Sequence, residues 1–294
     1  MRKHAYLIMA HTNFEQLKIE LQMLDDKRND IYLHVDKKTK NVDFDDICSV
    51  VKDSNIYIVK RFDVKWAGFS VSECEINLLK EASKKKYEYY HLLSGVDLPL
   101  KKQDEIHEFF QQNKGMEFVS FDLPQIHEAD MERVKYYRMF QDVYGRNRKN
   151  VVMLFLFGID ELLIRLQRVF RINRVKEKNV IFQKGTQWFS ITHKLVEMVI
   201  ERENWIKETF SNTFGSDEMF LQTILNNSDL KDNVYQKGLR KPELACVRKI
   251  DWNRGKPYTW RKEDYEELVT SGCLFARKFD INIDSTIINK FIIK

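Results

Sequence analysis

The first hundred residues alternate short apolar runs with helical patterns, and this alternation constrains the fold more than any other feature. Ala5-Tyr-Leu-Ile-Met-Ala10 reads as a buried strand, and Phe14, Leu17, Leu21 and Leu24 then mark one face of an amphipathic helix. Ile31-Tyr-Leu-His-Val35 is a second strand, ending at Asp36, and Ile56-Tyr-Ile-Val59 is a third. A helix from about 70 to 83 carries Ile76, Leu78 and Leu79, and Tyr89-Tyr-His-Leu-Leu93 is a fourth strand. Strands separated by helices demand crossover connections. The expectation is therefore an α/β fold, a mostly parallel central sheet with helices on both faces. Ligands bind such sheets beyond the carboxyl ends of the strands. His11, Asp36, Trp66 and Asp97 fall at or just beyond those ends, which makes them candidates.

The chain offers no repeat, low-complexity segment or linker, so a single domain over 1–294 is expected. With 43% hydrophobic residues and only 4 Pro and 10 Gly, disordered and fibrous classes are excluded. A net charge of +5 suits an anionic substrate or a membrane surface but is too small and dispersed for nucleic acid. Cys48, Cys74, Cys246 and Cys273 lie far apart without metal-ligand spacing, which favours free thiols in a reducing compartment. The apolar run at 5–10 is too short for a signal peptide, and no run reaches spanning length. A cytoplasmic protein is expected.

From Asp122 to Lys149 the chain is polar, rich in Arg and Tyr, and without a strand signal. Val151 to Phe157 then leads into a helix carrying Asp160, Glu161, Arg165 and Arg168. The favoured reading is an ordinary helix packed on the domain; the other is a basic amphipathic element touching a membrane surface.

The acidic pair Asp217-Glu218 follows Gly215 and Ser216, with Phe220, Leu221, Ile224 and Leu225 at helical spacing beyond. Ser216 is expected to cap that helix and to place both acids in its first turn. There they either complement the helix dipole or present a carboxylate to a cleft. No GxGxxG or Walker sequence follows the first strand, so neither a classical dinucleotide site nor a P-loop is supported. Asp43-Phe-Asp45 has the letters of a cation-binding pair but reads as a helix start. Without a metal, an anionic leaving group needs fixed cations, for which Arg248 and Lys278 are candidates. Trp188 and Trp252 are candidate platforms for sugar rings, with burial in the core as the alternative.

The ordered strings include Ala5–His11, His34-Val-Asp36, Trp66-Ala-Gly-Phe-Ser70, Leu93–Leu100 and Gly185-Thr-Gln-Trp-Phe-Ser190. Ser216-Asp-Glu218, Arg248–Trp252 and Leu274–Phe279 complete the set. Together they resemble the core-2/I-branching β-1,6-N-acetylglucosaminyltransferase and peptide O-xylosyltransferase family, glycosyltransferase family 14, over about residues 3 to 280. The resemblance implies a GT-A-like fold, a UDP-sugar donor, no metal cofactor, and inverting transfer to a glycan acceptor. Glu218 matches the family's catalytic base, and Arg248 and Lys278 match the cations on the donor diphosphate. His11, Asp36, Trp66, Ser70 and Asp97 fall on the donor side. Arg138, Trp188 and Asp217 fall on the acceptor side, where Asp217 also shapes the turn. The stretch from about 122 to 176 matches poorly and is the expected seat of acceptor choice. A bacterial-type member of this kind is expected to transfer N-acetylglucosamine into a surface polysaccharide. Its acceptor would be lipid-linked if the chain rests at the inner face of the membrane. Alternatives are a xylosyl- or galactosyltransferase, a metal-dependent enzyme using Asp43 and Asp45, and a non-catalytic carbohydrate-binding relative.

Overall fold

A computed structural model describes residues 3–122, 126–147, 149–176, 179–236 and 242–292. Four strands form the parallel part of the central sheet: β1 (His4–Ala10), β2 (Asn29–Val35), β3 (Asn55–Ile58) and β4 (Tyr89–Ser94). A second, smaller sheet begins with β5 (Asp97–Pro99). The later strands are β6 (Phe118–Val119), β7 (Phe189–Thr192), β8 (Arg248–Ile250) and β9 (Phe275–Arg277). The large sheet runs β3-β2-β1-β4-β7-β6, with β7 antiparallel to both β4 and β6. The small sheet runs β5-β9-β8, and no period-two pattern in the sequence announces its three-residue strands.

The alternation of side chains in β1 shows why both faces are covered. Ala5 and Leu7 enter one core with the helices Phe69–Ser83 and Phe220–Asn226. Tyr6, Ile8 and Ala10 enter another with the helices Phe14–Leu24 and Gln103–Gln112. Apolar residues at both parities are what a parallel strand buried on two sides requires. A third cluster under the small sheet gathers Leu98, Trp260, Phe279, Ile287 and Ile288. All four cysteines are free. Among the described residues no helix is long and apolar enough to cross a membrane.

The second core contains three buried histidines. His4 Nδ1 and His91 Nε2 lie 3.1 Å apart, and His91 Nδ1 is 2.7 Å from Ser190 Oγ. His107 Nε2 meets Asn29 Oδ1 at 2.9 Å, and its ring lies 4.2 Å from that of His4. Burial holds all three rings below the ordinary histidine range, His107 at about 4. The unfolded chain therefore binds more protons below about pH 6.5, and stability falls as pH falls through that window. Chemical denaturation from pH 7.5 to 5 should show this loss. In His107→Gln the slope should be shallower by about 1.4 kcal/mol per pH unit over the histidine's window; an unchanged slope would contradict the buried, neutral ring.

Candidate active site

Residues Ser216–Glu218 form a 3-10 turn, and the α-helix begins only at Phe220. The expectation of a Ser216 cap is corrected. Its hydroxyl is buried against Ser72 Oγ at 2.7 Å, and Gly215 precedes the turn with φ of 66°. Two backbone bonds fix the turn: Gly215 N donates to Ala67 O at 2.8 Å, and Gly185 N donates to Glu218 O at 2.9 Å. The two acids then diverge. Glu218 keeps 39% of its side-chain surface exposed, while Asp217 Oδ1 is covered and unpartnered.

Cations surround Glu218. Arg133 Nη1 donates to Glu218 Oε2 at 2.9 Å, and Lys184 Nζ lies 4.0 Å from the same oxygen. Asp130 holds Arg133 Nη2 at 3.0 Å, and Asp122 holds Lys184 at 2.5 Å. Behind the turn, Glu75 is wholly buried and accepts from Gln187 Nε2 at 2.6 Å. Burial, with Asp217 nearby, pushes the Glu75 carboxyl far above the carboxylate range. Burial, with Glu218 beside it, pushes Asp217 up to about 7.

The strand ends gather a second set. Asp36 closes β2, with Oδ1 accepting Lys38 N at 2.8 Å and Oδ2 3.3 Å from Lys38 Nζ. His11 follows β1 within electrostatic reach of Asp36, Lys38 and Arg277. Asp97 is buried, bonded by Ser94 Oγ at 2.7 Å, and 3.7 Å from Arg277 Nη1. The Arg277 guanidinium lies 4.2 Å from the centre of the Trp188 ring. Lys278 is half-buried, and its ammonium has no ion pair among the described residues. The segment Lys184–Trp188 joins the two sets, reaching Glu218 at one end and Arg277 at the other. Five residues span at most about 18 Å, so both sets border one region.

Several expectations change in the structure. Arg248 does not offer its guanidinium to a donor. It is 1% exposed, bonded to Ser190 Oγ and to the carbonyls of Leu92, Phe189 and Cys246. Its reach across β4, β7 and β8 explains the burial, which also lowers its pKa to about 10. Ser70 Oγ donates to Asp142 Oδ1 at 2.6 Å, and Phe69 N and Ser70 N bond the same carboxylate, so that hydroxyl is committed. Trp188 is 7% exposed with Arg277 over its face and so is no open platform; Trp252, at 59%, is open. Trp66 lies edge-on to Phe214 at 5.5 Å, beside the Glu218 turn. Arg138 is tied to Glu161 at 3.0 Å and to Tyr144 Oη at 3.1 Å.

Asp43 Oδ1 accepts Asp46 N at 2.9 Å as the cap of the helix Phe44–Ser49, which gives that acid a structural task. Among the described residues, no group of three or more His, Cys, Asp or Glu side chains could hold a metal ion. The sequence reading missed Arg133, Lys184 and Arg277. Lys184 and Arg277 adjoin or lie inside strings already singled out. Arg133 sits 85 residues from its partner, and nothing local signals the pair.

Residues 4–271 match the model of the Core-2/I-Branching enzyme family, and the chain belongs to that family of glycosyltransferases. It is 21% identical over 306 residues to xylosyltransferase 2 of Rattus norvegicus, an alignment covering 97% of this chain and 32% of that protein. It is likewise 21% identical over 307 residues to xylosyltransferase 1 of Canis lupus familiaris, covering 97% and 30%. The chain thus spans about a third of the length of these curated relatives. A solved structure, apo mouse xyloside xylosyltransferase 1, aligns with TM-score 0.37 and 8% identity over 93% of this chain and 96% of that one.

The raised Asp217 carboxyl makes a stability prediction. The folded state holds its proton up to about pH 7, while the unfolded acid releases it near 4, so stability falls as pH rises between these values. Asp217→Asn should remove that loss, leaving the variant more stable than the wild type at pH 8 by at least about 1 kcal/mol. Thermal denaturation at pH 5 and 8 checks this, and a less stable variant at pH 8 would contradict the assignment.

Proposed function

We propose that the chain is an inverting glycosyltransferase that moves a sugar from a UDP-sugar to a hydroxyl of a glycan acceptor without a metal ion. The observation that carries this reading is Glu218, an exposed carboxylate on a turn fixed by Ala67 and Gly185. The acceptor oxygen attacks the anomeric carbon from the face opposite the departing UDP. Its proton passes to Glu218, and the bonding pair leaves with the diphosphate. Arg133 and Lys184 hold the carboxylate in one orientation. Lys278, unpaired and half-buried, offsets the charge gathering on the diphosphate. Arg277 beside it, and the buried Arg248 charge, add to the same positive field.

N-acetylglucosamine remains the first donor sugar to test. The names of the rat and dog relatives make xylose the specific second reading, with galactose behind it. Trp252, exposed, is available for stacking on a sugar ring, whereas the Arg146 guanidinium lies 4.5 Å from the centre of the Trp66 ring and covers one of its faces. We take the acceptor to be a lipid-linked glycan at the cytoplasmic face of a membrane, in surface-polysaccharide synthesis.

A thermal-shift panel of UDP-sugars, followed by transfer assays, tests the reading. One UDP-sugar should raise Tm, with the shift and turnover both retained in EDTA. Complete loss in EDTA would instead point to a metal-dependent enzyme. Glu218→Gln should keep the donor-induced shift while losing at least about 10²-fold in kcat. Undiminished transfer by that variant would remove Glu218 from its role.

A further inference from the structure

The helix Val151–Val169 is built inside out relative to a helix facing water. Two of its polar residues, Asp160 and Gln167, point inward. Asp160 is wholly buried and accepts from Met139 N at 2.9 Å, Phe140 N at 3.1 Å and Tyr144 Oη at 2.8 Å. Gln167 is also buried, bonding Tyr137 N at 2.8 Å and Tyr137 O at 2.9 Å. At 100° per residue the opposite face carries Val151, Leu154, Phe155, Leu162, Leu166 and Val169. These are 42% to 80% exposed. A contiguous apolar strip of this kind marks an interaction surface.

We propose that this helix lies on an anionic lipid surface through that outer face. Charge selects the occupant. The one charged residue on the strip is Arg165, which is exposed and takes no ion pair among the described residues. Lys149 before the helix and Arg171 just after it are likewise exposed and without an ion pair there. Of the two acids of the helix, Asp160 is buried in the interior and Glu161 is paired with Arg138. Cations flanking an apolar face, with no acid among them, complement anionic headgroups.

A second copy of the chain fits less well. A 19-residue helix is about 28 Å long. A strip about 10 Å wide therefore offers roughly 300 Å², against the about 800 Å² per partner of a stable interface. Pairing two such strips would also set like charges together. Because no described helix can cross a membrane, this one would lie in the interface plane.

The consequence concerns the acceptor. Glu161 holds Arg138, and Arg168 pairs with Glu132 at 2.5 Å, next to the Arg133 that meets Glu218. Docking the outer face would set the acceptor side of the site at the lipid surface. That consequence rests on the lipid-linked acceptor proposed above; the docking itself does not.

Flotation with phosphatidylcholine vesicles, with and without phosphatidylglycerol, tests the inference. The wild type should float with the anionic vesicles only, and less so in high salt. The double variant Phe155→Glu, Leu162→Glu should lose at least about tenfold in vesicle affinity. Both positions are exposed, so its Tm and its turnover of a water-soluble acceptor should be unchanged. Absence of wild-type flotation, or undiminished flotation of the double variant, would overturn the proposal. So would a wild-type dimer in sedimentation that the same substitutions dissociate. Flotation needs no UDP-sugar, so failure of the transferase reading and failure of this one are read separately.

Discussion

The turn bearing Glu218 depends on two close backbone approaches, and the rest of the site is arranged around them. Gly215 N bonds Ala67 O, and Gly185 N bonds Glu218 O. A Cβ at Gly185 would stand 1.9 Å from Ser120 O, so any other residue would push the segment off the sheet edge. Gly215, at φ of 66°, turns the chain where a side chain would be strained. These constraints leave one exposed carboxylate in a fixed place. Orientation of that kind is what lets a single base act on a bound hydroxyl.

Electrostatics divides the carboxylates into roles. Glu218 stays exposed with cations at 2.9 and 4.0 Å, whereas Asp217 and Glu75 lie behind it, desolvated and raised. Buried acids that hold their protons do not compete for Arg133 or Lys184. The same logic operates at the strand ends, where Arg277 serves Asp97 and covers Trp188, while Lys278 has no ion pair among the described residues. Arg248 shows the other use of a cation, as a buried brace whose Nη groups bond the carbonyls of Leu92, Phe189 and Cys246 and the Ser190 hydroxyl.

The parallel half of the fold was legible because its signals are local. Ala5–Ala10, Ile31–Val35 and Tyr89–Leu93 are apolar at both parities, and the structure extends each by only one or two residues. The small sheet was not legible, since three-residue strands carry no period. Helical spacing at 151–169 announced a helix but not its orientation. Which face turns inward is set by Asp160 meeting two backbone N–H groups, those of Met139 and Phe140, 21 and 20 residues away. The resemblance supplied Glu218, Lys278 and Arg248 as residues. It could not supply the burial of Arg248, nor the Arg133–Glu218 pair, because both arise from tertiary contact.

The central claim is single-displacement transfer with Glu218 as base, and product stereochemistry tests it most directly. The donor in an inverting reaction of this kind carries an α-linked sugar on UDP, and attack opposite the leaving group must deliver a β-linkage. Proton NMR of the anomeric signal in the freshly formed product reads the outcome. The account predicts a β-anomer alone. An α-linked product would contradict it, since attack opposite the leaving group inverts the anomeric centre.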